Sequence, residues 1–263
     1  MSKLATKDKF IDLSDYGRPI ATIIANALKN TAFTSIHATV AFGISGLLAV
    51  YCILANHYYW AGFFLITKSI LDAADGELAR VKNTPSYVGR YLDSVFDILL
   101  NFLILMAICY VSTSSYINTL IAFICVQLQG TLYNYYYVIL RNKSIGADTT
   151  SKIFEYKVPK AFPNEKQKMV NILFSMYAIA YSIFDKTIHW LDKEAYKTTT
   201  FPHWFMSLVS LYGLGFQLLI IAVTLALQLN NFIIPFFIGY TFLMVVIIGI
   251  RKIFLRNSSN CNL

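Results

Sequence analysis

The chain is dominated by a succession of apolar runs, each about the length of a membrane span. A hydrocarbon layer of about 30 Å takes roughly 20 helical residues to cross. The runs at about 34–54, 58–80, 88–112, 117–140, 203–228 and 232–253 all reach that length. Composition points the same way: 57% of the 263 residues are hydrophobic and only 14% are charged, against about 25% charged in a soluble domain. The expected fold is therefore all-α: a polytopic integral membrane protein with six transmembrane helices.

The net charge of +8 would suggest nucleic acid in a soluble protein, but here the basic residues sit between the apolar runs, as in cytoplasmic loops. No nucleic-acid partner is expected. The stretch 168–190 is apolar enough to span, yet Asn171, Ser175, Ser182, Asp185 and His189 recur on one helical face, which suits a helix lying in the interface. If it does not cross, Arg141, Lys143, Lys152, Lys157, Lys160, Lys166 and Lys168 join Arg80, Lys82, Arg90, Arg251, Lys252 and Arg256 on the inner side. If it crosses, the last three fall outside, against the positive-inside rule. Six spans is the preferred count.

Before the first span, Ile20, Ile23, Ile24, Ala27 and Leu28 form a helical stripe, and Pro19 suits a first turn. A short amphipathic helix on the cytoplasmic face is expected there. The division is then 1–32 for the cytoplasmic N-terminus, 33–255 for the six-helix transmembrane domain and 256–263 for a cytoplasmic tail. Cys52, Cys109, Cys125 and Cys261 show no paired spacing, so they read as packing residues. The N-terminus lacks the apolar core of a cleavable signal peptide.

Chemistry concentrates where the second run meets the third: Asp72-Ala-Ala-Asp75-Gly76-Glu-Leu-Ala79-Arg80, then Gly89-Arg-Tyr-Leu-Asp93-Ser-Val-Phe-Asp97. A carboxylate at the centre of a membrane helix costs about 2.5–3.5 kcal/mol, so four need compensation. Asp72, Asp75 and Ala79 share a helix face, with Gly76 and Arg80 on its edge, and Gly89, Asp93 and Asp97 share another. A short turn through Asn83, Thr84 and Pro85 makes the helices antiparallel neighbours, so the four carboxylates can converge. Gathered like charges repel unless cations neutralise them, and oxygen-only ligands favour Mg²⁺ or Mn²⁺. A two-metal site suits phosphoryl displacement. Gly76 and Ala79 leave room for a ligand, and Arg80 offers a planar cation to phosphate.

Asp-x2-Asp-Gly-x2-Ala-Arg-x8-Gly-x3-Asp-x3-Asp resembles the signature of the CDP-alcohol phosphotransferase family at every defining position. The resemblance implies a six-helix membrane fold, a homodimer, and a polar cavity open to the cytoplasm, here of a bacterial inner membrane. It implies metal ligation by Asp72, Asp75, Asp93 and Asp97, with Asp97 also the base on the acceptor hydroxyl. The CDP site would involve Asp75, Gly76, Ala79, Arg80 and Gly89. One departure stands out. Family members often carry a proline-rich threonine motif opening the first span, whereas this chain has Thr31-Ala-Phe-Thr34-Ser-Ile-His37-Ala-Thr39, which bears on nucleotide contacts from that helix.

Lys68, Arg90 and Arg141 are candidate acceptor or phosphate contacts; an ion pair for Lys68 and helix-end anchoring for the two arginines are the plainer readings. Gln127, Gln129 and Asn134 are expected inside the bundle, and neither His37 nor His189 is given a metal role. The expected reaction takes a phosphatidyl group from CDP-diacylglycerol to a polar alcohol, releasing CMP. The alternatives are transfer of a phosphocholine-type group from a CDP-alcohol to diacylglycerol, and cation transport through the same acids.

Overall fold

The computed structural model describes residues 4–145, 155, 157–197 and 201–254. Lys152, Arg256, Cys261 and the expected tail lie outside them. All regular structure among the described residues is helical: α1 Arg18–Leu28, α2 Ser35–Leu54, α3 Tyr58–Val81, α4 Tyr87–Val111, α5 Tyr116–Ile145, α6 Gln167–Leu191, α7 His203–Val209, α8 Leu214–Ala226 and α9 Asn230–Phe254.

Local chemistry sets the helix ends. Thr34 and His37 form a reciprocal capping pair at the start of α2, so His37 has a structural task. Asn56 and Asn83 take left-handed φ of 60° and 52° after α2 and α3, a conformation asparagine tolerates better than most residues. The Ser86 hydroxyl accepts from Gly89 N at 2.7 Å and starts α4. These tight turns make α2, α3 and α4 an antiparallel series.

By length and composition, α2, α4 and α9 can each cross a membrane, and α7 with α8 makes a fourth candidate, bent by 52°. The long run 203–228 is thus broken. The break lies at Gly213, where Ser14 of the N-terminal segment packs in; a methyl on Gly215 would meet the Ser14 carbonyl oxygen at 1.9 Å. α3 is as long as its neighbours, but Lys68, Asp72, Asp75, Glu77 and Arg80 fill its second half.

Two apolar clusters hold the bundle. One joins α2, α3, α4, α8 and α9 through Phe42, Leu65, Ile104, Ile221 and Phe237. The other joins α5, α7 and α9 to the N-terminal segment through Tyr136, Phe205, Met206, Ile247 and Leu4. α2 lies close on α4, since side chains at Gly43 and Gly46 would strike Phe96 and Leu100. Outward faces are apolar too: Ile44, Leu47, Tyr51, Ile117, Ile124, Phe242 and Val245 are exposed, the reverse of a water-facing surface. Gln129 donates to the Phe237 carbonyl at 3.0 Å and accepts from Gln217 at 3.1 Å, the interhelical role expected of it. Gln127 is buried as well. Asn134 is not: it is exposed, because α5 buries Leu132 and Tyr136 and position 134 falls on the opposite face.

α6 has both ends at one end of the bundle. Just before it, Glu165 accepts from Ser86 Oγ at 2.6 Å and Val88 N at 2.8 Å, at the start of α4. Just after it, buried Asp192 pairs with Arg251 in the last turn of α9 and accepts from Tyr136 Oη at 2.6 Å. The bond from Thr113 N to Asn231 Oδ1, 3.0 Å, ties the end of α4 to the start of α9, so the start of α4 and the end of α9 share the other end.

Candidate active site

The second half of α3 and the first half of α4 carry the site. One carboxylate oxygen from each of Asp72, Asp75 and Asp93 lies within 4.8 Å of the others. Asp75 is buried, and its Oδ2 accepts from Thr39 Oγ1 of α2 at 2.8 Å. Thr39 also donates to the Ser35 carbonyl at 3.1 Å, so the first span does reach the site, through one threonine. The Oδ1 atom of Asp93 is buried and accepts no hydrogen bond from the described residues. A buried carboxylate oxygen in an acidic cluster is costly unless a cation meets it.

Asp97 lies apart from this trio. Its Oδ1 accepts from Lys68 Nζ at 2.7 Å. Lys68 is fully buried, with its ammonium 4.9 Å from the centre of the Phe42 ring. Helical rise explains the separation: four residues from Asp93 to Asp97 climb about 6 Å, and on the antiparallel partner Lys68 lies the same distance above Asp72. Lys68 thus forms an ion pair with Asp97 across the two helices.

Arginines gather beside the cluster. Arg80 Nη2 donates to Glu77 Oε2 at 2.6 Å. Its Nη1 lies 3.4 Å from where a methyl on Gly76 would be, so the guanidinium stacks over that glycine. Arg90 pairs with Glu155 and lies 5.2 Å and 5.8 Å from the Tyr91 and Tyr177 ring centres. Arg141 is close enough to Arg80 and Arg90 to feel their charge, and its buried Nε has no hydrogen-bond partner among the described residues. Gly89 has its amide committed to Ser86, and Ala79 is half-buried beside the cluster.

The sequence reading passed over several neighbours: Thr39, Glu77, Glu155 and the α6 tyrosines. Tyr181 donates to the Ser94 carbonyl at 2.9 Å. On the same helix, burial and then the nearby Glu155 push the Asp185 carboxyl up to about 6, with Arg90 opposing. Only helical spacing hinted at these residues, since none belongs to the signature.

Such an arrangement, three converging carboxylates with the Arg80 and Arg141 guanidinium groups nearby, suits a divalent cation and a diphosphate together. Among proteins of curated function, none matches this chain significantly. The family model described as CDP-alcohol phosphatidyltransferase matches residues 24–198, which include the end of α1, all of α2 to α6 and every aspartate of the cluster. The match covers more than half of the chain, which therefore belongs to the CDP-alcohol phosphatidyltransferase family and is a transferase of phosphate-containing groups.

Proposed function

We propose that the protein transfers a phosphatidyl group from CDP-diacylglycerol to the hydroxyl of a polar alcohol, releasing CMP. The observation carrying this reading is the convergence of Asp72, Asp75 and Asp93, with a buried Asp93 oxygen that meets no hydrogen-bond donor among the described residues. Their all-oxygen donor set fits Mg²⁺ or Mn²⁺. A second ion would draw on Asp97, whose Oδ1 is taken by Lys68. When bound, the metal offsets the charge of the diphosphate.

The chain's own groups do the rest. Arg80 and Arg141 hold the donor phosphates, and Gly76 and Ala79 leave space for the nucleotide. Asp97 accepts the proton as the acceptor oxygen attacks the phosphorus farther from cytidine. A new O–P bond forms there, and the bond to the CMP oxygen breaks. The ion pair with buried Lys68 holds Asp97 in place until then. With Glu155 and Tyr177 holding Arg90, that residue serves to dock α6.

The reading places α2, α3, α4, α5, α7 with α8, and α9 across a bacterial inner membrane, as a homodimer with the site toward the cytoplasm. α1 and α6 then lie in the inner interface. Support comes from α6 docking both ends at one end of the bundle, and from exposed Met169, Ile172, Met176, Ile179 and Ile183 along one face. A single cysteine at Trp190 of a cysteine-free chain is expected to label from the cytoplasmic side only; labelling from the opposite side overturns this topology.

Purified protein supplied with CDP-diacylglycerol and a panel of polar alcohols is expected to release CMP and form a phosphatidyl product. Release only from CDP-choline with diacylglycerol reverses the direction of lipid flow. No CMP from any donor, with cation flux in vesicles, replaces the enzyme with a transporter.

A further inference from the structure

Arg80 does not stand alone. Glu77, two residues beyond Asp75, uses one oxygen, Oε2, to accept from both Arg80 Nη2 at 2.6 Å and Arg18 Nη1 at 3.2 Å. Arg18 opens α1 and pairs also with Asp15. The result is a line of alternating charge, Asp15–Arg18–Glu77–Arg80, running from the N-terminal segment to the edge of the metal cluster. The Glu77 side chain is only 7% exposed.

The far end of this line is fixed. Tyr133 Oη donates to Asp12 Oδ2 at 2.6 Å, and Leu13 N donates to Ser210 Oγ at 3.0 Å. Ser14 is held against Gly213 and Gly215. Asp12, Asp15, Arg18, Glu77 and Tyr137 line a cavity of about 540 Å³, so the first three members of the line border open space. Without a partner, the long Arg80 side chain would sample many rotamers before meeting a diphosphate. Glu77 limits that freedom. A lone carboxylate would also neutralise the arginine and weaken its hold on phosphate; Arg18 draws on the same oxygen and offsets this.

We propose that Glu77 and Arg18 are positioning residues for Arg80, so that the N-terminal segment and α1 set the affinity of the donor-phosphate site. This rests on the reading of Arg80 as a contact to the CDP donor. In the detergent-solubilised full chain, Glu77→Gln should raise the CDP dissociation constant and the donor KM about tenfold, the effect of one lost charged hydrogen bond. The acceptor KM and kcat should stay within about twofold. In an Arg80→Ala background the same substitution should add almost nothing.

Unchanged CDP affinity in Glu77→Gln, or a loss that simply adds to that of Arg80→Ala, overturns the proposal. If Arg80→Ala itself leaves CDP binding intact, the donor-site reading fails instead. If Glu77→Gln does not fold, Arg18→Met tests the same line from its half-exposed end. A severalfold rise in donor KM, reduced in Arg18→Lys, is expected there, and no rise overturns the proposal.

Discussion

Asp93→Asn is expected to lower CMP release about 10³-fold, the scale seen when one preorganised electrostatic group is removed from an active site. The bundle should remain folded. Asp93 contributes an oxygen to the carboxylate trio, and its buried Oδ1 has no hydrogen-bond donor among the described residues. An amide of the same size removes one negative charge from a crowded cluster, so repulsion between Asp72 and Asp75 is the main electrostatic strain left. The metal-free variant should therefore melt at a higher temperature than the metal-free parent, while turnover collapses. Parallel loss of both melting temperature and activity would mean Asp93 is holding the fold.

The second large effect concerns Lys68 and Asp97. Asp97→Asn leaves a fully buried ammonium without its partner, at a cost of about 3–5 kcal/mol. Thermal melting should register that loss. The double variant Lys68→Met/Asp97→Asn removes both charges and should recover most of the stability. Turnover should not return, since the acceptor proton then has no carboxylate to receive it. CDP binding should survive. A double variant with near-parental CMP release would remove Asp97 as the base and leave the pair a structural one.

Much of the architecture was readable because membrane helices announce themselves. The apolar runs could only be helices, as no other open structure satisfies its backbone in lipid. Asp72, Asp75 and Asp93 could be grouped because helical periodicity and a five-residue connection leave few alternatives. Periodicity said less about Asp97, because sharing a face with Asp93 says nothing about height, and one turn is enough to put one of its oxygens on Lys68. Thr39 was hidden by the missing prolines of the usual motif, although its hydroxyl still reaches Asp75. Glu77 and Arg18 were hidden for a different reason: their contact joins positions 59 residues apart, and no local pattern reports a pairing of that range. The Gly213-x-Gly215 pair did carry a signal, for a break in an apolar run and a close backbone approach. Its partner, Ser14, lay in a segment that looked like a plain polar terminus.

Everything in the proposed chemistry depends on a cation being held by oxygens of α3 and α4. Mn²⁺ titrated into the purified full chain and followed by electron paramagnetic resonance tests this most directly. The expected result is saturable binding in the parent that tracks the recovery of CMP release after chelation, with both lost in Asp93→Asn. Full CMP release from chelator-treated protein, or unchanged Mn²⁺ binding in Asp93→Asn, would contradict it.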